Sequence, residues 1–290
     1  MEPVLVTGAA GGRQGSTGRH VTRLLLERGR PVRAFVRADD ARAAELRSWG
    51  AEVVVGDLRE ITSVIPALQG VRRAFFTYPV TEGMLDATAV FAAAARREGL
   101  EQVVEVSQLA ADPYAGTPHM RRHWVSEQVF DRAEVGAVHL RAAVFFENLA
   151  VVADAGGGRE LRLPLGSPET VLPLVAAADV ARVAAGLLTA PAGEADPICR
   201  LTGEIMTIGQ AAKTFGGGLT YVDQDPEEWR REAMALYDDT VAVEHLSHLW
   251  ELFRVIGSGH DLYQVTEAIE RIGGRPPLTL HDYTSTPSSP

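Results

Sequence analysis

Short, almost continuous apolar runs alternate along the first half of the chain with longer segments whose apolar residues recur every three or four positions. The runs are Val4–Val6, Pro31–Arg37, "EVVVGD" (52–57), "RAFFTYP" (73–79), "QVVEVS" (102–107) and "AVHLRAAV" (137–144). They are rich in β-branched residues and lack a polar face, as in strands covered on both sides. Helices are predicted between them over Thr17–Arg28, Asp39–Trp49, 59–68, Met84–Glu98 and His119–Ala133. This alternation calls for right-handed crossovers and an α/β fold built on a doubly wound parallel sheet.

After about residue 145 the rhythm changes. "AGGGRE" reads as a glycine turn, "ELRLPLG" and "TVLPLV" as short strands, and "AADVARVAAGLL" as a helix with Asp179 in its first turn. A strand ("ICRLT"), a helix ("TIGQAAKTF"), a strand ("LTYVD") and a run of helices over 226–272 follow. The expected organisation is a dinucleotide-binding domain over 1–150 and a smaller, mainly substrate-side α/β region over 151–282. The chain crosses between the two, and 283–290 forms a disordered tail.

Composition narrows the class. With 46% hydrophobic and 23% charged residues the chain resembles an ordinary globular protein. It has no apolar run long enough to cross a membrane and no signal-peptide layout, so a cytoplasmic protein without a membrane partner is expected, as monomer or homodimer. Cys199 is the sole cysteine and suits a small buried position. A net charge of −10 argues against nucleic acid as the main partner. Lys213 is the only lysine, which limits the catalytic chemistry available.

The densest signal is "GAAGGRQGSTGRH", with five glycines between Gly8 and Gly18, after one strand and before a helix. Gly8 and Gly11 supply the early turn. Gly12-Arg13-Gln14-Gly15-Ser16-Thr17-Gly18 is a GxxGxxG run entering the helix. Such a unit aims backbone N–H groups and a helix N-terminus at a pyrophosphate. Arg37 ends the second strand, where dinucleotide folds read the adenosine ribose. A guanidinium there suits a 2′-phosphate, so NADP(H) is favoured over NAD. Arg13 is a second candidate for that phosphate or the pyrophosphate. Asp39 and Asp40 complicate the charge balance or cap the next helix. Asp57 and Leu58 close the third strand, where adenine would lie. Asp57 either bonds the base or caps the following helix. Thr77, Tyr78 and Pro79 would run along the nicotinamide-side ribose.

These residues together resemble the NmrA-like family of atypical short-chain dehydrogenase/reductases. The ordered set is "VLVTGAAG…GRHVTRLLLERGRPVRAFVR", "GAEVVVGDL", "LQGVRRAFFTYPV", "LRAAVFFENL", "LPLVAAADVARVAAGLL", "RLTGEIMTIGQAA" and "GGRPPLTLHDY". The resemblance implies a Rossmann fold with NADP(H) in the glycine loop and a small C-terminal substrate region. Its members include quinone and enone reductases, redox sensors that bind NADP without turnover, and enzymes of aromatic natural-product pathways. Two departures stand out: about four extra residues between Gly11 and Gly18, and no tyrosine–lysine pair four residues apart. Relatives often keep a lysine four residues before a glutamate on the helix after the fifth strand. Counting back from Glu127 gives His123.

His123 is therefore the first catalytic candidate, against the plainer reading of a helix-surface histidine. His119 shares its helical face. No third ligand is evident, so no metal is expected. Tyr78 and Tyr114 are candidate proton donors or stacking walls. Ser107 ends the fifth strand, where substrate carbonyls are contacted. Phe146, Glu147 and Asn148 follow the sixth strand and either face the pocket or pack and cap. "HLSHLWELF" reads as core or as an apolar pocket wall. The leading expectation is an NADPH-dependent reductase of a quinone, enone or carbonyl on a hydrophobic, aromatic small molecule. A redox sensor without turnover, and a non-redox enzyme of cyclisation or coupling, are the alternatives.

Overall fold

The computed structural model describes residues 1–12, 15–193, 195–215 and 218–285. Strand β1 (Val4–Thr7) leads through the glycine loop into α1 (Thr17–Glu27). Then come β2 (Val32–Val36), α2 (Ala41–Ser48), β3 (Glu52–Val55), α3 (Ile61–Leu68) and β4 (Arg73–Phe76). They are followed by α4 (Met84–Glu98), β5 (Gln102–Gln108), α5 (Pro118–Ala133) and β6 (Ala137–Ala142). The next elements are β7 (Val144–Phe145), α6 (Phe146–Ala155), β8 (Glu160–Leu163), β9 (Val171–Val175) and α7 (Ala177–Thr189). Then follow β10 (Ile198–Leu201), β11 (Glu204–Thr207), α8 (Ile208–Thr214) and β12 (Thr220–Asp223). The chain closes with α9 (Pro226–Tyr237), α10 (Thr240–Val255), α11 (Ala268–Gly273) and α12 (Leu280–Ser285).

Seven parallel strands form the main sheet in the order β10-β6-β5-β4-β1-β2-β3. The strand order reverses between β1 and β4, the crevice where doubly wound folds receive ligands. Both faces are covered. Val4, Val6, Val21, Leu25, Val180 and Leu188 share one apolar core, and Leu5, Phe76, Phe91, Val103 and Phe130 share the core on the opposite face. Phe76, Phe91 and Phe130 meet edge-on or tilted, with centroids 4.9 to 6.3 Å apart. A third core belongs to the C-terminal region, around Phe146, Leu161, Leu174, Trp229 and Trp250. Its short sheets are β11-β9-β7 and β12-β8.

Local chemistry sets the helix starts. Asp40 caps α2, accepting from the N–H groups of Arg42 at 2.9 Å and Ala43 at 3.2 Å. Thr117 caps α5 with Pro118 in its first turn, and Thr207 and Gln210 form a reciprocal capping box on α8.

The architecture follows the pattern of apolar runs, with three corrections. The expected sixth strand stops at Ala142, and Val144–Phe145 pair with β9 in a different sheet. The helical run over 226–272 is interrupted, because 256–267 carries no helix. Tyr283 to Ser285, expected in a disordered tail, form the last turn of α12, with the Tyr283 ring 5.6 Å from that of Phe146. Residues 286–290 lie outside the described residues. The chain also returns to the main sheet beyond residue 150: β10 extends it beside β6, and α7 packs on α1.

One buried ion pair straps the C-terminal segment to this frame. Asp179 and Arg182 pair within α7, with side chains 0% and 6% exposed. Arg182 also donates to the carbonyls of Gly273, Arg275 and Pro276, and Asp179 accepts from the Leu278 N–H at 2.7 Å. Removing one partner of a buried pair strands the other charge. Arg182→Leu is expected to cost about 3–5 kcal/mol in chemical denaturation and to expose 273–285 to limited proteolysis first.

Candidate functional site

The carboxyl ends of β1, β4, β5 and β6 gather the residues singled out in the sequence. Gly8 and Gly11 have φ of +64° and +67°, a region that favours glycine. Gly18 carries the tightest constraint: a Cβ there would lie 2.5 Å from the Thr7 carbonyl oxygen and 2.6 Å from Gly8. Only glycine lets α1 begin this close to β1. Thr7 Oγ1 donates to the Thr77 carbonyl at 2.9 Å and accepts its N–H at 2.8 Å, which locks the ends of β1 and β4 together.

The long loop behaves differently from a simple cradle. Gly12 and Gly15 exchange N–H···O bonds of 3.0 and 3.2 Å, and the Gly11 N–H bonds the Gly8 carbonyl. These N–H groups are consumed inside the loop. Arg13 and Gln14 lie outside the described residues. The start of α1 is open instead: Ser16 makes no side-chain cap, and the first turn has no acidic residue. The uncapped N–H groups of Thr17, Gly18 and Arg19 can take a diphosphate. The residues present thus fit a dinucleotide, held by the helix N-terminus more than by the inner glycines.

Arginines surround the adenosine end. The Arg37 side chain is 75% exposed, with its guanidinium 3.7 Å from Asp57. Arg42, which sequence reasoning missed, bonds the Gly11 carbonyl at 3.2 Å and Asp40 at 2.6 Å, bringing a second guanidinium to the loop. Asp57 accepts from the Arg59 backbone and side chain, and this bonding holds its carboxyl down to about 2. Its carboxylate thus ties a turn before α3 and does not cap that helix, whose N-cap residue is Glu60. Leu58 is half-buried against the core beneath α3 and α4. Pro79 is exposed, and half-buried Tyr78 donates its hydroxyl to the Glu82 carbonyl at 3.2 Å.

Several candidates sit apart from open space. Ser107 is 1% exposed and donates to Glu127 at 2.6 Å, while Arg141 grips Glu127 with bonds of 2.9 and 2.6 Å. Its hydroxyl is committed to this ion pair and not turned to a ligand. Tyr114 is 92% exposed and walls no pocket. Phe146 is fully buried in the C-terminal core. Glu147 accepts from the Ala177 N–H at the start of α7, and burial pushes its carboxyl up to about 7. Asn148 is half-buried in the first turn of α6.

The histidines do come together. The His119 ring lies 4.9 Å from His123 and 4.6 Å from His245, which α10 contributes. Gln108, at the end of β5, bonds His245 at 3.1 Å. His119 Nδ1, His123 Nδ1, His245 Nδ1 and Gln108 Oε1 are all buried without a hydrogen-bond partner, each at a cost of about 1–3 kcal/mol. Burial, helped by neighbouring positive charge, lowers His119 to about 4 and holds His123 and His245 well below the usual imidazole range. The "HLSHLWELF" segment had offered His245 only as part of an apolar run. Among the described residues, no group of three or more His, Cys, Asp or Glu is placed to hold a metal. No described helix is long and apolar enough to cross a membrane.

His139 is the electrostatic opposite. It bridges Glu105 at 2.6 Å and Asp131 at 3.0 Å. Burial alone would lower it, but the two carboxylates outweigh burial and lift it to about 9.

The NmrA-like family model matches residues 2–262, and the chain belongs to that family. Over 194 residues it is 32% identical to an NAD(P)H azoreductase of Xenophilus azovorans, covering 66% of this chain and 65% of that protein. The chain thus matches just under two thirds of that relative's length, and less of the other curated relatives. An NADPH-dependent quinone oxidoreductase of Escherichia coli, solved with NADPH, superposes with a TM-score of 0.78 at 21% identity, covering 97% of this chain and 98% of that one. The negative transcriptional regulator NmrA, solved with NADP, gives 0.74 at 17% identity, covering 98% and 94%. These structural likenesses establish the fold.

Histidine-resolved NMR titration should show His139 protonated up to about pH 9 and His119 neutral down to about pH 4. The raised His139 value adds stability that is complete below the unfolded value of 6.5 and fades as pH rises through 9. The lowered His119 value acts oppositely: stability is lost as pH falls from 6.5 through 4. Uniform titration of all histidines near 6.5 would contradict both assignments.

Proposed function

We propose that the chain is an NADPH-dependent reductase of a quinone, enone or carbonyl group on a hydrophobic aromatic molecule. The observation that carries this reading is the start of α1, without a side-chain cap, at the sheet's switch point, with Arg37 after β2, Arg42 on the Gly11 carbonyl, Gln108 at the carboxyl end of β5 and His123 on α5. Thr17, Gly18 and Arg19 would hold the diphosphate, and the two arginines a 2′-phosphate. When bound, NADPH supplies the hydride.

The chain's own residues supply orientation. A neutral His123 donates a hydrogen bond to a substrate oxygen without carrying charge of its own. With its basicity held so low, it is a poor proton source, so solvent protonates the reduced oxygen. Quinone reduction by two electrons suits such a site, because it needs no tyrosine–lysine pair. That same missing pair, with the likeness to the NADP-bound regulator, favours a second reading: a sensor that binds NADPH without oxidising it.

Following NADPH at 340 nm against a panel of quinones separates the two. The reductase reading expects turnover, with His123→Ala slowing kcat by about tenfold without abolishing it, the worth of one hydrogen bond. Tight NADPH binding with no oxidation would favour the sensor. Replacing Arg37 and Arg42 by serine should cut the preference for NADPH over NADH by at least about tenfold in fluorescence titrations. An unchanged preference would remove both arginines from the coenzyme site.

A further inference from the structure

The histidine cluster reaches beyond His119 and His123, its two sequence-predicted members. His119 and His123 come from α5, Gln108 from the end of β5, and His245 from α10 in the C-terminal region. Contacts of 4.6, 4.9 and 3.1 Å join all four into a single group. Each contributes one buried polar atom with no partner. Unpaired buried polar atoms are rare singly. Four in one group, beside the strand ends where this fold class receives ligands, point to a partner that arrives from outside the chain.

We propose that Gln108 and His245, with His119, are specificity-determining residues of the substrate site. The molecule they select is a neutral aromatic ring bearing hydroxyl or carbonyl oxygens in addition to the one that is reduced. The proposal rests on the reductase reading above for its chemistry, and on geometry for its residues.

The chemistry of the group sets the ligand class. A neutral imidazole offers one N–H and one lone pair, and an amide offers both functions as well. Such an array complements oxygens that donate and accept. It does not complement a carboxylate, since burial keeps all three imidazoles uncharged. Arg122 and Glu244 lie at the rim, where their charges oppose one another. The flat imidazole faces also suit stacking on an aromatic ring. The gap beside His119 and His245 holds only about 10 Å³, enough for one water, so binding a ring requires α5 and α10 to part there.

Equilibrium binding of 2,6-dihydroxynaphthalene and of naphthalene to the full chain, with and without NADP⁺, tests this without requiring turnover. The wild type should prefer the dihydroxy compound by at least about tenfold, one good hydrogen bond's worth. His245→Phe and Gln108→Leu keep apolar volume and should each reduce that preference to about threefold or less. His245→Gln, which can still hydrogen-bond, should recover part of it. Equal binding of the two compounds by the wild type, or a preference unchanged in both variants, overturns the proposal. If the variants fail to fold, the wild-type imidazole resonances decide. Those of His119 and His245 should shift with the dihydroxy compound at concentrations at least about tenfold below those naphthalene needs, and shifts at equal concentrations, or none, overturn the proposal. Preference without any NADPH oxidation would remove the reductase reading and keep the site. Quinone turnover with variants that retain full preference would do the opposite.

Discussion

Everything at the ligand edge of this protein depends on how closely α1 begins beside β1. Gly18 has no room for a single methyl group against the Thr7 carbonyl and Gly8. That contact aims the open start of α1 at the switch point, and the double hydrogen bond between Thr7 and Thr77 holds the neighbouring strand end in register with it. A helix displaced by even an ångström would carry its N–H groups off the crevice. The inner glycines serve this geometry indirectly. Gly12 and Gly15 bond one another, so their N–H groups are spent within the loop, while the start of α1 has no side-chain cap.

Around that frame the interior handles charge in two ways. On one side, Glu105, His139, Glu127, Arg141 and Ser107 form paired, hydrogen-bonded groups that tie β5 and β6 to α5. Such groups are expensive to disrupt and are committed to structure. On the other side, His119, His123, His245 and Gln108 each hold a buried polar atom with no partner, and burial disfavours charge on the three imidazoles. The contrast separates scaffold from site more clearly than residue type does, since both groups contain histidine and both sit on α5.

The sequence carried the sheet and its crossovers because parallel strands covered on both faces must read as uninterrupted apolar runs. It misplaced features that depend on tertiary contact. Val144 and Phe145 continue an apolar run yet turn into a second sheet. Ser107 stands at the right strand end, but its hydroxyl points to Glu127, which only the packed fold reveals. Tyr114 is aromatic and close in sequence to the site, yet nothing packs on its ring. Arg42 and His245 were missed because each reaches the site from a helix whose own pattern gives no hint of it: Arg42 through the Gly11 carbonyl, His245 across from α10.

The central claim is that the chain binds NADPH at the α1 start and that the cofactor, oriented by a nearly uncharged pocket, carries the reduction. Single-turnover mixing of the NADPH-bound protein with a quinone, using cofactor deuterated at the transferred position, tests it most directly. The account predicts 340 nm decay that is distinctly slower with the deuterated cofactor. Bound NADPH that persists unoxidised across a range of quinones would contradict it.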